Sequence, residues 1–239
     1  MTDKKIVLIT PTGARPKQIE TCAALMKKQT YAGPVIWIIV DDCDPATAVF
    51  IDGSFRDGWD IWKIYPNPSW RPGQNTQGRN LKCAIDCLQQ HFVRDEIGGI
   101  FFIEDDDYYS DTYLERMVPM LDGFDVIGET HTIYYNIAIR KWIMNHNAEW
   151  SSLFQTAMTF NAIPAFERLY GEKFIDYMLF KQPDVRVNLF RAGNISIGIK
   201  GQPGRSGIGA GHGWIRTMVD DPKLDQLRKF IGDDVKFYM

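Results

Sequence analysis

The run IFFIEDDDYY, Ile100 to Tyr109, carries four apolar residues straight into four consecutive acids and then two tyrosines. Ile100 to Ile103 read as the end of a buried strand, so Glu104, Asp105, Asp106 and Asp107 fall where that strand leaves the core. Two unit charges about 4 Å apart repel by roughly 1 kcal/mol in water and by about 4 kcal/mol at the effective dielectric of a protein surface. Acids held together in this way shift their pKa values upward or pull the strand end apart unless something neutralises them. A divalent cation does so. Carboxylate oxygens suit Mg²⁺ or Mn²⁺, and Mg²⁺ is often shared between one or two protein carboxylates and the phosphates of a nucleotide. The plainer alternative is a solvated acidic turn capping the next helix, since Asp111 and Leu114 to Leu121 look like a helix start and body.

The residues upstream build a frame for that strand. Ile6 to Thr10 (IVLIT) is a continuous β-branched run ending at Pro11-Thr12-Gly13, the pattern of a buried parallel strand feeding a turn. Ile19, Cys22, Ala23, Leu25 and Met26 then recur at helical spacing, and Tyr31-Ala32-Gly33-Pro34 breaks the chain before a second strand, Val35 to Val40. This is one βαβ unit with Asp41-Asp42 at the end of its second strand. A third strand is expected around Asp60 to Tyr65, then a loop over Pro66 to Gly78, a helix from Arg79 to His91, and a fourth strand from Gly99 to Ile103. Open α/β sheets bind ligands outside the carboxyl ends of their strands, so both acidic clusters should face one cleft.

Beyond Gly128 the pattern loosens into short pieces rich in aromatics and asparagine, ending in the glycine-rich run Gly198 to Trp214. At 239 residues and 45% hydrophobic, the chain can fill one sizeable core. Its 27 basic and 30 acidic residues give a net charge of -3, so no global field advertises nucleic acid, although a local basic groove is compatible with it. Cys22, Cys43, Cys83 and Cys87 lack the paired spacing of a zinc site and read as reduced thiols. With no apolar stretch near the roughly 20 residues that cross a bilayer and no signal peptide, the expectation is a cytoplasmic protein without a membrane span.

Four short motifs in order, Pro11-Thr12-Gly13-Ala14-Arg15, Asp41-Asp42, Arg79-Asn80 and Glu104 to Asp107, resemble the glycosyltransferases of the GT-A fold, above all the inverting family-two group. The resemblance covers roughly the first 120 residues and implies a GT-A (Rossmann-like) α/β fold: a mixed, mainly parallel sheet flanked by helices. It implies one domain over 1–239, with 1–125 as the nucleotide-binding half and 126–239 as the acceptor-binding half. It implies a nucleotide-sugar donor, most often a UDP-sugar, with Mn²⁺ or Mg²⁺. Pro11, Thr12, Arg15 and Asp41 would line the nucleotide pocket, Asp41 accepting a hydrogen bond from the base, Asp42 lying near the ribose and Arg79 near the base or phosphates. Asp106 aligns with the metal-contacting acid of the D-x-D-type motif, with Asp105 or Glu104 at the ribose or a metal-bound water. Both Glu104-x-Asp106 and Asp105-x-Asp107 fit that spacing.

The second half departs from the family. Many relatives carry their catalytic base in an E-D pair opening a helix, and here Phe174-Ile175-Asp176-Tyr177 has isoleucine in place of the glutamate. Asp176 is the candidate base, a helix N-cap its plainer role. His212, within Gly207 to His212, matches a C-terminal histidine that completes the metal shell in many GT-A enzymes, and imidazole suits Mn²⁺. Lys200, Arg205 and neighbouring backbone N–H groups are candidates for holding the diphosphate. The acceptor is expected to be a glycan or a hydroxylated, modified nucleic-acid base, because Trp62, Trp70, Trp142, Trp150 and Trp214 suit either ring type beside ordinary core packing. Two other classes compete. A nucleotidyltransferase making nucleotide sugars would share the cleft but calls for a G-x-G-x-R loop after the first strand, which Thr10 to Pro16 lacks. A non-catalytic nucleotide- or carbohydrate-binding protein would need no base.

Overall fold

The computed structural model describes residues 4–146, 148–205 and 217–239. In chain order the regular elements are β1 (Lys5–Thr12), α1 (Pro16–Lys27), β2 (Val35–Asp41), β3 (Trp59–Ile64), α2 (Gln77–His91), β4 (Ile97–Phe102), β5 (Tyr108–Tyr109) and α3 (Tyr113–Met117). The second half adds β6 (Val126–Glu129), β7 (His131–Asn136), β8 (Lys141–His146), β9 (Thr156–Met158), α4 (Ile163–Glu167), α5 (Ile175–Leu179), β10 (Val187–Phe190), β11 (Ser196–Lys200), β12 (Val219–Asp220) and α6 (Asp225–Ile231).

Seven strands form one sheet in the order β10-β6-β9-β4-β1-β2-β3. Parallel pairing joins β4 to β1, β1 to β2 and β2 to β3, while β9 runs antiparallel to both β4 and β6. The sheet is therefore mixed and mainly parallel, as expected. Its central strands are buried on both faces, which explains their unbroken apolar runs. Alternation then sorts the side chains. Leu8, Trp37, Ile39 and Phe101 face one apolar layer with α1, α3 and α6, whereas Ile9, Ile38, Val40 and Phe102 face another with α2, α4 and α5.

The second half packs against the first through a five-stranded sheet, order β12-β8-β7-β11-β5, that the sequence pattern did not reveal. β11 pairs parallel with β7 and antiparallel with β5, which brings Lys200 beside the acidic run. The helix expected over Leu114 to Leu121 is interrupted: α3 ends at Met117 and a 3₁₀ turn, Val118–Leu121, carries Pro119. Proline cannot donate the next helical hydrogen bond, so the α-helix stops there. Among the described residues no helix is long and apolar enough to cross a membrane.

Candidate functional site

A cavity of about 470 Å³ opens at the carboxyl ends of β1 and β4. Pro11, Thr12, Arg15, Glu104 and Asp106 line it from the nucleotide half, joined by Trp70, Gln77 and Asn80. From the other half come Tyr134, Ser152, Phe154, Phe174, Asp176 and Lys200, with Arg205. The acids after β4 alternate between two environments. Glu104 and Asp106 face the cavity, while Asp105 and Asp107 are almost fully buried away from it. Of the two D-x-D-type registers, the cavity therefore sees Glu104-x-Asp106.

Each acid of the run has a protein partner. Arg15 reaches Asp105 Oδ1 at 2.5 Å and Asp106 Oδ2 at 3.2 Å, and Thr12 Oγ1 donates to Asp105 Oδ2 at 2.5 Å. Asp107 Oδ1 accepts from the Ile199 N–H at 2.8 Å and from Lys200 Nζ at 3.1 Å. Gln77 Nε2 donates to Glu104 Oε1 at 2.9 Å. Burial drives the carboxyl pKa values up, to about 6 for Asp105 against the pull of Arg15 and to about 7 for Asp107 against Lys200. Glu104 is raised as well, by burial first and then by the charge of Asp107. Burial acts to loosen the protons of Arg15 and Lys200, yet the surrounding carboxylates outweigh it and both cations hold their charge more firmly than usual.

Asp41 and Asp42 take different parts. Asp41 turns into its own loop, accepting from the backbone N–H of Cys43, Thr47 and Ala48 at 3.2, 2.5 and 2.8 Å, and does not line the cavity. Asp42 is a buried hub. Its Oδ2 accepts from Thr76 Oγ1, from Asn80 Nδ2 at 2.7 Å and from Arg79 at 3.3 Å, and its Oδ1 from Arg205 at 2.8 Å. Arg79 also donates to the Pro68 carbonyl at 2.6 Å, at the cavity's edge rather than in its lining. The guanidinium of Arg205 lies 4.7 Å from the centre of the Trp70 ring. Gly13 allows the hub to form, because a Cβ there would come within 2.1 Å of Asp42 Oδ1 and its φ is +147°. Gly13→Ala should therefore lower stability by about 1–3 kcal/mol, read as a shift in the urea midpoint.

Asp176 sits in the first turn of α5 and lines the cavity. Burial raises its carboxyl pKa above the ordinary value, while backbone N–H groups of Tyr177, Asp176 and Leu153 pull the other way. Sequence reasoning missed several residues here. Thr76 and Gln77 precede the Arg79-Asn80 pair, and their signal was proximity to that motif. Tyr134 and Ser152, hydrogen-bonded at 2.6 Å, gave none, since Ser152 lies in a loop 18 residues beyond Tyr134 and no local pattern links the two. His212 lies outside the described residues.

The donor set open to the cavity is all oxygen and suits a hard cation. Among the described residues no group of three or more His, Cys, Asp or Glu could hold a metal ion. Glu104 and Asp106 fit the mode in which two protein carboxylates share the ion with a substrate's phosphates.

No family model and no curated protein matches the chain. Solved structures do. TarS 1–349 from S. aureus, in complex with UDP-GlcNAc, matches with a TM-score of 0.60 at 15% identity, over 84% of this chain and 60% of that one. The same segment with UDP gives 0.59 at 16% identity, over 82% and 60%. A mannosyltransferase, PcManGT from Pyrobaculum calidifontis, in complex with GDP-Man and Mn²⁺, gives 0.53 at 14%, over 84% and 57%. The chain thus spans about three fifths of these proteins, and 36% of a longer TarS structure. What they share with it is architecture: the chain has the fold of nucleotide-sugar glycosyltransferases.

Proposed function

We propose that the chain is a metal-dependent glycosyltransferase that moves a sugar from a nucleotide-sugar donor, a UDP-sugar, to an acceptor hydroxyl with inversion at the sugar carbon. One observation carries this reading: Asp176, an acid kept protonatable by burial, shares a cavity with the Glu104 and Asp106 pair and with the cations Lys200 and Arg205. In the proposed division of labour, residues 1–125 hold the nucleotide and 126–239 the acceptor.

Asp176 accepts the proton of the acceptor hydroxyl as that oxygen bonds to the anomeric carbon. The bond from the same carbon to the diphosphate breaks, and the nucleoside diphosphate leaves with the electron pair. Lys200 and Arg205 face the space that diphosphate would occupy and draw its charge toward the cavity wall. Arg15 keeps Asp105 and Asp106 close together despite their repulsion. Glu104 and Asp106 would hold a divalent cation, which when bound supplies Lewis-acid stabilisation of charge on the leaving group. The TarS complex with UDP-GlcNAc and the mannosyltransferase complex with GDP-Man and Mn²⁺ favour this ligand class.

The test is a thermal-shift comparison of UDP, GDP and UDP-sugars with and without Mn²⁺. UDP at about one hundred times its dissociation constant should add roughly 2.7 kcal/mol of apparent stability. The response should require metal and be lost in a Glu104→Gln, Asp106→Asn double variant. Equal responses with and without Mn²⁺ would overturn the metal assignment, and no response to any nucleotide would overturn the donor.

A further inference from the structure

Two large aromatic rings stand in the open beside the cavity. Phe174 is 51% exposed and Tyr177 42% exposed, one at the start of α5 and the other three residues on. Phe174 precedes the helix with φ -122° and ψ 72°, and Tyr177 lies within the helix's first turn, so the two rings flank Asp176 in the chain. Phe174 lines the cavity next to Asp176, so the pair begins at the candidate base and runs outward from it. Trp150 braces Tyr177 edge-on, with ring centres 6.0 Å apart, and so fixes the outer ring's orientation. Exposed rings at the lip of a cleft offer apolar area that a ligand can cover.

A cation rides on each ring. Lys173 Nζ lies 5.3 Å from the centre of Phe174, and Lys181 Nζ lies 5.5 Å from the centre of Tyr177. A neutral sugar chain stacks on rings but gives these ammonium groups nothing to neutralise. A chain of flat rings joined by phosphodiesters supplies both a face for each ring and an anion for each lysine. Lys181 already pairs with Glu149 on the surface, an exposed pair of little net worth that a phosphate can displace.

We propose that the acceptor is a single-stranded or locally opened nucleic acid bearing a base hydroxyl, seated on Phe174 and Tyr177 with its phosphates against Lys173 and Lys181. The transfer step rests on the glycosyltransferase reading: the base hydroxyl gives its proton to Asp176 and takes the sugar as the diphosphate departs. The binding platform stands on its own geometry. A chain of net charge -3 cannot hold nucleic acid by its overall field, so stacking carries the affinity and the salt dependence is shallow.

The probe is a fluorescently labelled single-stranded oligothymidylate, followed by anisotropy over a range of salt, with the matching duplex and a neutral maltooligosaccharide as competitors. Phe174→Ala and Tyr177→Ala should each weaken binding roughly 5- to 150-fold. Joint replacement of Lys173 and Lys181 by Gln should flatten the log–log salt slope by about 1.4. A cooperative thermal transition in every variant shows that they fold, and UDP-dependent thermal stabilisation should be unchanged in Tyr177→Ala, whose ring lies outside the cavity lining. The platform assignment is overturned if the oligonucleotide is not held, if the ring variants hold it as tightly as the parent, if the duplex binds equally well, or if the maltooligosaccharide displaces it from the same rings. A ring-dependent oligonucleotide complex in a protein that ignores every nucleotide sugar would sink the glycosyltransferase reading and leave the platform standing. The opposite pattern would sink the platform alone.

Discussion

Asp176→Asn should lower kcat by about 10²–10⁴-fold while leaving the affinity for UDP within twofold, because a general base acts on the acceptor's proton and not on the donor. Asparagine keeps the shape and loses the ability to take a proton. The pH profile gives a sharper readout. A carboxylate base works when ionised, so kcat/KM falls as pH drops through its pKa. Burial raises the pKa of Asp176, so the acid limb should lie above the ordinary carboxylate value of about 3.9. In the asparagine variant that limb should vanish. Steady-state release of UDP over a pH series measures both effects, and a variant that keeps full turnover would move the base elsewhere and remove the argument for inversion.

Lys200→Met should destabilise the fold by about 3–5 kcal/mol, because it strands the buried carboxylate of Asp107 with only the Ile199 N–H for company. For a chain of this size that is a fall in Tm of roughly 6–20 °C. The loss should depend on pH in a fixed direction. Asp107 sits at about 7 even with Lys200 beside it, and removing the ammonium pushes it higher. A carboxyl whose folded pKa exceeds its unfolded value contributes stability that is present below the unfolded value and is lost as pH rises through the folded one. The methionine variant should therefore lie nearest to the parent at about pH 4–5 and furthest from it at about pH 8. Urea unfolding at the two pH values tests this. A deficit of the same size at both would mean that lost packing, not a stranded charge, is responsible.

Strands β1, β2 and β4 were legible because burial on both faces leaves runs with few polar breaks, whereas the partly buried β3, WDIWKI, is interrupted by Asp60 and Lys63. The cleft was legible too, since parallel strands put their carboxyl ends on one side. The fates of single acids were not. The resemblance implied that Asp41 faces the nucleotide, yet its oxygens serve the N–H groups of residues 43, 47 and 48. Which of Glu104 to Asp107 look into the cavity depends on how the backbone turns after β4, and that turn is held by Arg15 and Lys200, about 90 residues away on either side. The second sheet was invisible for a related reason. Its strands β5 and β12 are two residues long, and their partners lie far along the chain, so no local period announces them. Phe174 and Tyr177 entered the sequence reading only as neighbours of Asp176, because exposure, which sets them apart, leaves no mark in the sequence.

The strand β9 has a bearing on how such a protein can be altered. It comes from the second half and closes the open edge of β4, with Ile100 opposite Met158 and Phe101 opposite Ala157. An exchange of acceptor preference by grafting a foreign C-terminal segment would therefore have to carry a matching strand, or leave a raw hydrophobic margin beside the acidic run. New specificity is more safely sought by changing α5 and its rings than by shuffling modules.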